Sequence, residues 1–199
     1  MDKETDGRTS HGFGCAAAAI VVLGLVALGA WWVQDFVKGF DGYGQLEQSG
    51  RSGSVADPLP AGATAEYEDG LDVTVSVPGR EPDGRTYRFT VTYENGTDQT
   101  FRLGGDDVRD AVATVAHEAP LVVRAGRSFM DAANGESVDW SGQDMRVAEA
   151  ALMPPLGPDE TRTVTVLVRP ERAGTPVTVE VEPPDASFRE TAYFEFSLG

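Results

Sequence analysis

Residues that carry chemistry are scarce in this chain. It has two histidines, His11 and His117, and one cysteine, Cys15. Beyond Cys15 no internal disulfide can form, and a thiol nucleophile or a cysteine-bearing zinc site lacks its ligands. With His117 as the lone imidazole there and no G-x-S-x-G present, a Ser-His-Asp hydrolase lacks parts as well. Paired carboxylates can act without histidine, as in glycoside hydrolysis, but 28 acidic residues scattered from Asp41 onward single out no two positions. The sequence reads as non-enzymatic.

Positive charge is also scarce. Sixteen Lys and Arg stand against 32 Asp and Glu, a net charge of -16. From Asp41 onward there are 13 basic and 28 acidic residues, a net charge of -15. Nucleic-acid binding needs concentrated Lys and Arg to displace counterions from phosphates, so nucleic acid is not an expected partner. The acidic excess instead favours solubility and a well-solvated surface.

Apolar runs are absent except for one. From Cys15 to Val33 no charge interrupts the sequence, about the length a helix needs to cross a bilayer core. Trp31 and Trp32 close it with the aromatic pair typical of a membrane boundary. Residues 14–36 are therefore read as a transmembrane helix and 1–13 as a short cytoplasmic tail. Lys3 and Arg8 precede the helix while Lys38 and Arg51 follow it, so flanking charge leaves the orientation nearly balanced. An apolar helix at the N-terminus, ahead of one large domain, reads as a signal-anchor with the C-terminal domain outside the cell. Small residues at Ala27-Leu28-Gly29 keep signal cleavage and a secreted product as the alternative. Cys15 precedes the apolar run rather than following it, which argues against a lipoprotein signal and leaves acylation at the membrane boundary as its alternative role. Residues 37–64, rich in Gly, Ser and Pro, read as a flexible linker.

Residues 65–199 show a period of two. Leu71, Val73, Val75 and Val77 alternate with polar residues, as do Tyr87, Phe89, Val91 and Tyr93. Asn95-Gly96 predicts a tight hairpin turn leading to a strand with Phe101 and Leu103, a reading that takes precedence over the sequon Asn95-Gly96-Thr97. Later stripes are Val164, Val166 and Val168; Val177, Val179 and Val181; and Ala192, Phe194, Phe196 and Leu198. About seven short strands, parted by Pro and Gly turns with hardly a helical stretch, predict an all-β antiparallel sandwich.

The middle, Gly104 to Pro155, is less regular. Val108–Ala116 and Leu121–Arg124 read as strands, Asp110–Glu118 alternatively as a short helix, and Ser128–Met145 as a long loop of the kind that often carries function. Asp106, Asp107 and Asp110 offer hard oxygen ligands to calcium, although they match no EF-hand and Arg109 supplies a local counter-charge. Asp131, Asn134 and Glu136 are a similarly incomplete set. The bland account of both is a solvated loop. Phe129, Met130 and Trp140 are candidates for an exposed apolar patch that meets a protein partner, with packing into the core as the alternative. Calcium is the sole cofactor suggested.

Tyr87-Arg-Phe89-Thr-Val91-Thr-Tyr93-Glu-Asn95, then Leu156-Gly-Pro158-Asp-Glu160 ahead of the Val164 strand, then the closing aromatic strand Tyr193–Phe196, make residues 65–199 resemble a family. It is a family of bacterial extracellular immunoglobulin-like domains of unknown function, found in lipoproteins and single-pass membrane proteins. Gly-Pro-Asp-Glu stands here where that family usually has Pro-Gly-Glu. The resemblance implies an immunoglobulin-like, non-enzymatic extracellular module and supplies no site residues. The expected function is a single-pass, membrane-anchored β-sandwich that binds a protein or cell-envelope partner. A structural spacer or accessory subunit of a membrane assembly, and a calcium-dependent adhesion module, are the alternatives.

Overall fold

The computed structural model describes residues 44–105, 111–114, 119–127, 137–183 and 189–199. These fall in one unit that begins at Gly42. The expected tail and transmembrane helix, residues 1–36, lie outside the described residues, and among those described no helix is long and apolar enough to cross a membrane.

Alternation of apolar and polar side chains produces the long strands. In chain order the elements are β1 (Leu59–Pro60), β2 (Thr64–Glu66), β3 (Leu71–Val75), β4 (Gly79–Arg80), β5 (Tyr87–Asn95), β6 (Val112–Ala113) and β7 (Leu121–Ala125). There follow β8 (Val138–Asp139), the helix α1 (Gly142–Leu152), β9 (Thr161–Pro170), β10 (Thr175–Val181) and β11 (Ala192–Leu198). One sheet has the order β1-β11-β10-β7-β6; the other runs β2-β3-β5-β9-β8, with β4 also paired to β5. The long strands pair antiparallel, while the two-residue contacts β1–β11 and β6–β7 are parallel.

Each long strand turns one apolar stripe inward. Val73, Phe89, Val91, Val164 and Val166 of one sheet share a single core with Val123, Val177, Val179 and Phe194 of the other. Phe89 meets Phe196 edge to face across the two layers, with ring centroids 5.2 Å apart. Removing a Val or Phe of this kind from water contributes about 1.5–3 kcal/mol, so the layers have no comparably stable separate state. The molecule is thus mostly β, with antiparallel sheets in a sandwich arrangement. The first stripe stops at Val75, and Val77 is 68% exposed because the chain leaves the sheet ahead of Pro78.

Several expectations need correction. The linker reading fails from residue 44 on, since this stretch is sewn to the sandwich by its backbone. Leu46 bridges Tyr67, Leu59 pairs with Phe194, and Tyr193 donates its N–H to the Gly53 carbonyl at 2.8 Å. Its Gly, Ser and Pro serve turns: Gly53 has φ +75°, with the Leu46 side chain 3.0 Å from where a Cβ would stand. Residues 37–43 lie outside the described residues.

The Asn95-Gly96 hairpin is also absent. Strand β5 pairs with β3 and β9, and Phe101 makes only a bridge to Leu156. Asn95 is instead a buried staple, 2% exposed. Its Nδ2 donates to the carbonyls of Gln99, Leu156 and Gly157 at 2.7, 3.2 and 2.9 Å, and its Oδ1 accepts from the N–H and hydroxyl of Thr97 at 3.0 and 2.8 Å. The sequon is therefore no accessible glycan acceptor.

The long loop expected at Ser128–Met145 is interrupted by β8 and by the start of α1. Ser141 caps that helix, accepting the Asp144 N–H at 3.2 Å, while Ala148 and Leu152 are buried. At the other end Arg162 donates to the carbonyls of Ala151, Pro154 and Pro155. The helix packs against β9, whose edge opposite β5 is paired with β8 only at Arg169 and Pro170, so helix packing limits the exposure of a long strand edge. Among residues 111–114 the strand β6 replaces the short-helix alternative.

Candidate functional site

Strand register determines which side chains meet at one end of the sandwich. Arg80 pairs with Tyr87, and Tyr87 pairs with Val168, so β4, β5 and β9 end level with one another just before Arg169. The β4–β5 turn and the β9–β10 connection then leave from this same end.

The β4–β5 turn is built rigidly. Asp83 Oδ1 accepts the N–H groups of Arg85 and Thr86 at 2.9 and 2.8 Å, and Asp83 Oδ2 accepts the Thr86 hydroxyl at 2.6 Å. Gly84 has φ +68°, a left-handed conformation that other residues adopt at a cost. The Thr86 hydrogen bonds, aided by the Arg85 N–H and the nearby Arg169 charge, hold the Asp83 carboxyl down at about 2, against an ordinary 3.8. On the facing connection, Thr175 donates its hydroxyl to the Arg172 carbonyl at 2.8 Å.

Between the two lies an open cleft of about 380 Å³, lined by Arg80, Arg85, Tyr87, Arg169, Glu171 and Arg172, among others. Four of the 13 basic residues beyond Asp41 thus meet at one place, with a single acidic residue in the lining. Two of the four are positioned by neighbours. Arg80 donates from Nε and Nη2 to the Tyr87 hydroxyl at 3.0 and 2.5 Å, its guanidinium carbon 5.3 Å from the ring centre. Arg169 donates to the Thr86 hydroxyl at 3.3 Å and stands 4.0 Å from Asp139. Arg85 and Arg172 are exposed, and no ion pair holds them among the described residues. Several arginines elsewhere are matched with acids: Arg88 with Glu81, Arg189 with Asp69, and the buried Arg124 with Glu180 at 2.5 Å. The cleft is therefore a local reversal of sign on an acidic domain.

Chemically, the cleft is equipped for binding. Guanidinium groups present forked donors to oxyanions, but the lining has no histidine and no nucleophile beside a base.

The residues singled out from sequence fall elsewhere. Asp106, Asp107, Asp110, Phe129 and Met130 lie outside the described residues. Trp140 is 4% exposed and belongs to the core, so it contributes nothing to an exposed patch; its indole N–H has no hydrogen-bond partner among the described residues. No group of three or more His, Cys, Asp or Glu able to hold a metal occurs among the described residues. The arginine cleft was missed because its members are up to 92 residues apart and only β5–β9 pairing joins them. The available signal was local: arginine recurs at both turns, in Arg80 to Arg85 and in Arg169-Pro-Glu-Arg172.

No protein-family model matches the chain, and no curated protein matches it by sequence.

Proposed function

We propose that the protein is a membrane-anchored, extracellular β-sandwich module of immunoglobulin-like type that binds a cell-envelope partner and performs no catalysis. Anchoring is supported by the uncharged run Cys15–Val33. The immunoglobulin-like assignment is supported by the two antiparallel layers together with the sequence resemblance over residues 65–199. The arginine cleft carries the binding half of the reading. A spacer has no use for four like charges gathered against their mutual repulsion, whereas a binding module gains from donors that are in place before the partner arrives.

Two measurements test this. In intact cells carrying a C-terminal tag, added protease should remove the tag from the membrane fraction; a membrane tag that is protected until lysis refutes the orientation, and a tag in the medium refutes retention of the anchor. Purified full-length protein should co-sediment with isolated envelope fragments, and Arg85→Gln with Arg172→Gln should reduce this. Undiminished co-sedimentation would remove the cleft as the contact surface and favour the spacer.

A further inference from the structure

We infer that the arginine cleft is a receptor site for the phosphate group of an ester, in preference to a carboxylate. This rests on the reading of the cleft as a contact surface and adds the chemistry of what it holds. The lining carries four guanidinium groups and one carboxylate, a formal charge of +3. A carboxylate is planar and singly charged, and one guanidinium fork satisfies it. With Glu171 in the lining and Asp139 beside Arg169, at least one further arginine would then stay uncompensated. A phosphate ester is tetrahedral, carries up to two charges, and has oxygens directed to several sides.

The donors are distributed to match. Arg80 comes from β4, Arg85 from the β4–β5 turn, Arg169 from the end of β9 and Arg172 from the β9–β10 connection, so the donors come from two separate connections of the chain. Arg80 and Arg169 are held by Tyr87 and Thr86, which lowers the ordering cost of binding. Arg85 and Arg172 supply forks that no described acid occupies. A volume of about 380 Å³ is several times that of a phosphate ion and leaves room for the organic part of the ester.

The charge around the cleft limits the ligand further. A domain with net charge -15 repels a long polyanion along its whole surface, yet at physiological salt this field is screened beyond about 8 Å. One phosphate seated among the arginines feels their near field and little of the rest. This separates the site from a nucleic-acid surface, which needs a run of positive charge.

The test is calorimetric titration of the full chain in non-ionic detergent with three probes. Glycerol 3-phosphate represents a soluble phosphomonoester, glycerophosphoglycerol a deacylated phosphodiester headgroup, and succinate a dicarboxylate control that matches the monoester in charge and so isolates the chemistry of the anionic group. At least one ester should bind at least about tenfold more tightly than succinate, and Arg85→Gln with Arg172→Gln should weaken it by about tenfold or more, equivalent to about 1.4 kcal/mol. Arg146→Gln, an exposed arginine on α1, should leave affinity unchanged. Preference for the monoester assigns a soluble phosphorylated ligand, and preference for the diester assigns a headgroup; both uphold the inference. Failure of both esters to bind at millimolar concentration overturns it, as does equal binding of succinate or equal loss in the Arg146 control. If the esters fail while envelope co-sedimentation still depends on Arg85 and Arg172, the phosphate is wrong and the contact surface stands.

Discussion

Replacing Asn95 by alanine should be among the most damaging single changes to a polar residue in this domain. Five hydrogen bonds converge on its amide. Those to Thr97 and Gln99 lie where water can partly substitute, and the Leu156 carbonyl keeps a second donor, the Phe101 N–H at 2.9 Å. The unrecovered loss is the half-buried Gly157 carbonyl contact, part of the Leu156 contact and the ordering of residues 95–99. At about 1–1.5 kcal/mol for each carbonyl contact, with a similar amount for the loosened turn, Asn95→Ala should cost about 3 kcal/mol. For a domain of this size the melting temperature should fall by about 6–12 °C. Urea unfolding followed by tryptophan fluorescence should show a lower midpoint with an unchanged slope. Asn95→Asp is the sharper comparison, because it preserves shape and the acceptor for Thr97 while setting a carboxylate against three carbonyls. It should be at least as destabilising at pH 7. A loss below about 1 kcal/mol for alanine, or a mild effect of Asn95→Asp, would refute the staple.

Three further expectations concern charge and capping. Asp83 has a folded-state carboxyl value near 2, below its ordinary 3.8, so its contribution is present above pH 4 and is lost as pH falls through about 2; carboxyl NMR should find that midpoint, and Thr86→Ala should move it upward. Asp72 is shifted the other way, first by burial and then by Glu66 and Glu94, which pair with it on either side. Its penalty is therefore full at neutral pH and disappears once pH falls below the unfolded value. Asp72→Asn should gain a few tenths of a kcal/mol at pH 7 and nothing near pH 3, and equal gains at both would contradict this. Arg162→Ala should strip the donors from Ala151, Pro154 and Pro155 and cost about 1–3 kcal/mol, with hydrogen-exchange protection lost first in α1; uniform loss across the sheets would count against a local clamp.

Much of the sandwich was legible because burial imposes a period of two on a strand. Val164–Val168 and Val177–Val181 could be read directly, and both are buried strands. Backbone pairing leaves no such mark. Residues 44–64 are held to β11 and Tyr67 mainly by main-chain bonds, so their side chains look like those of a linker. Asn95-Gly96 misled for a related reason. The pair suits a tight turn, but tertiary carbonyls claimed the side chain. The helix had a readable start in Ser141-x-x-Asp144 with Met145, Ala148 and Leu152 on one face, hidden by the polar stretch before it. The cleft had no comparable mark, because a site made by register between distant strands is written in no local spacing.

Asn95 also sets the terms on which this chain ages. An asparagine followed by glycine is open to attack by the next backbone nitrogen on its side-chain carbonyl carbon, a reaction that expels ammonia and closes a succinimide ring, which water then opens to an aspartyl or isoaspartyl residue. In the folded domain the Gly96 nitrogen is committed to the Gly70 carbonyl at 2.9 Å, and the Asn95 amide is held from both of its ends. The attack therefore has to wait for opening. Its product carries the carboxylate that the staple cannot accommodate, so each excursion of this corner risks a covalent change that opposes return. Mass spectrometry should find conversion at Asn95 slow in buffer and fast in denaturant, and equal rates would show that the corner gives no protection. A hydrogen-bond arrangement that fixes the corner of a sandwich thereby works as a timer that runs only while the domain is open.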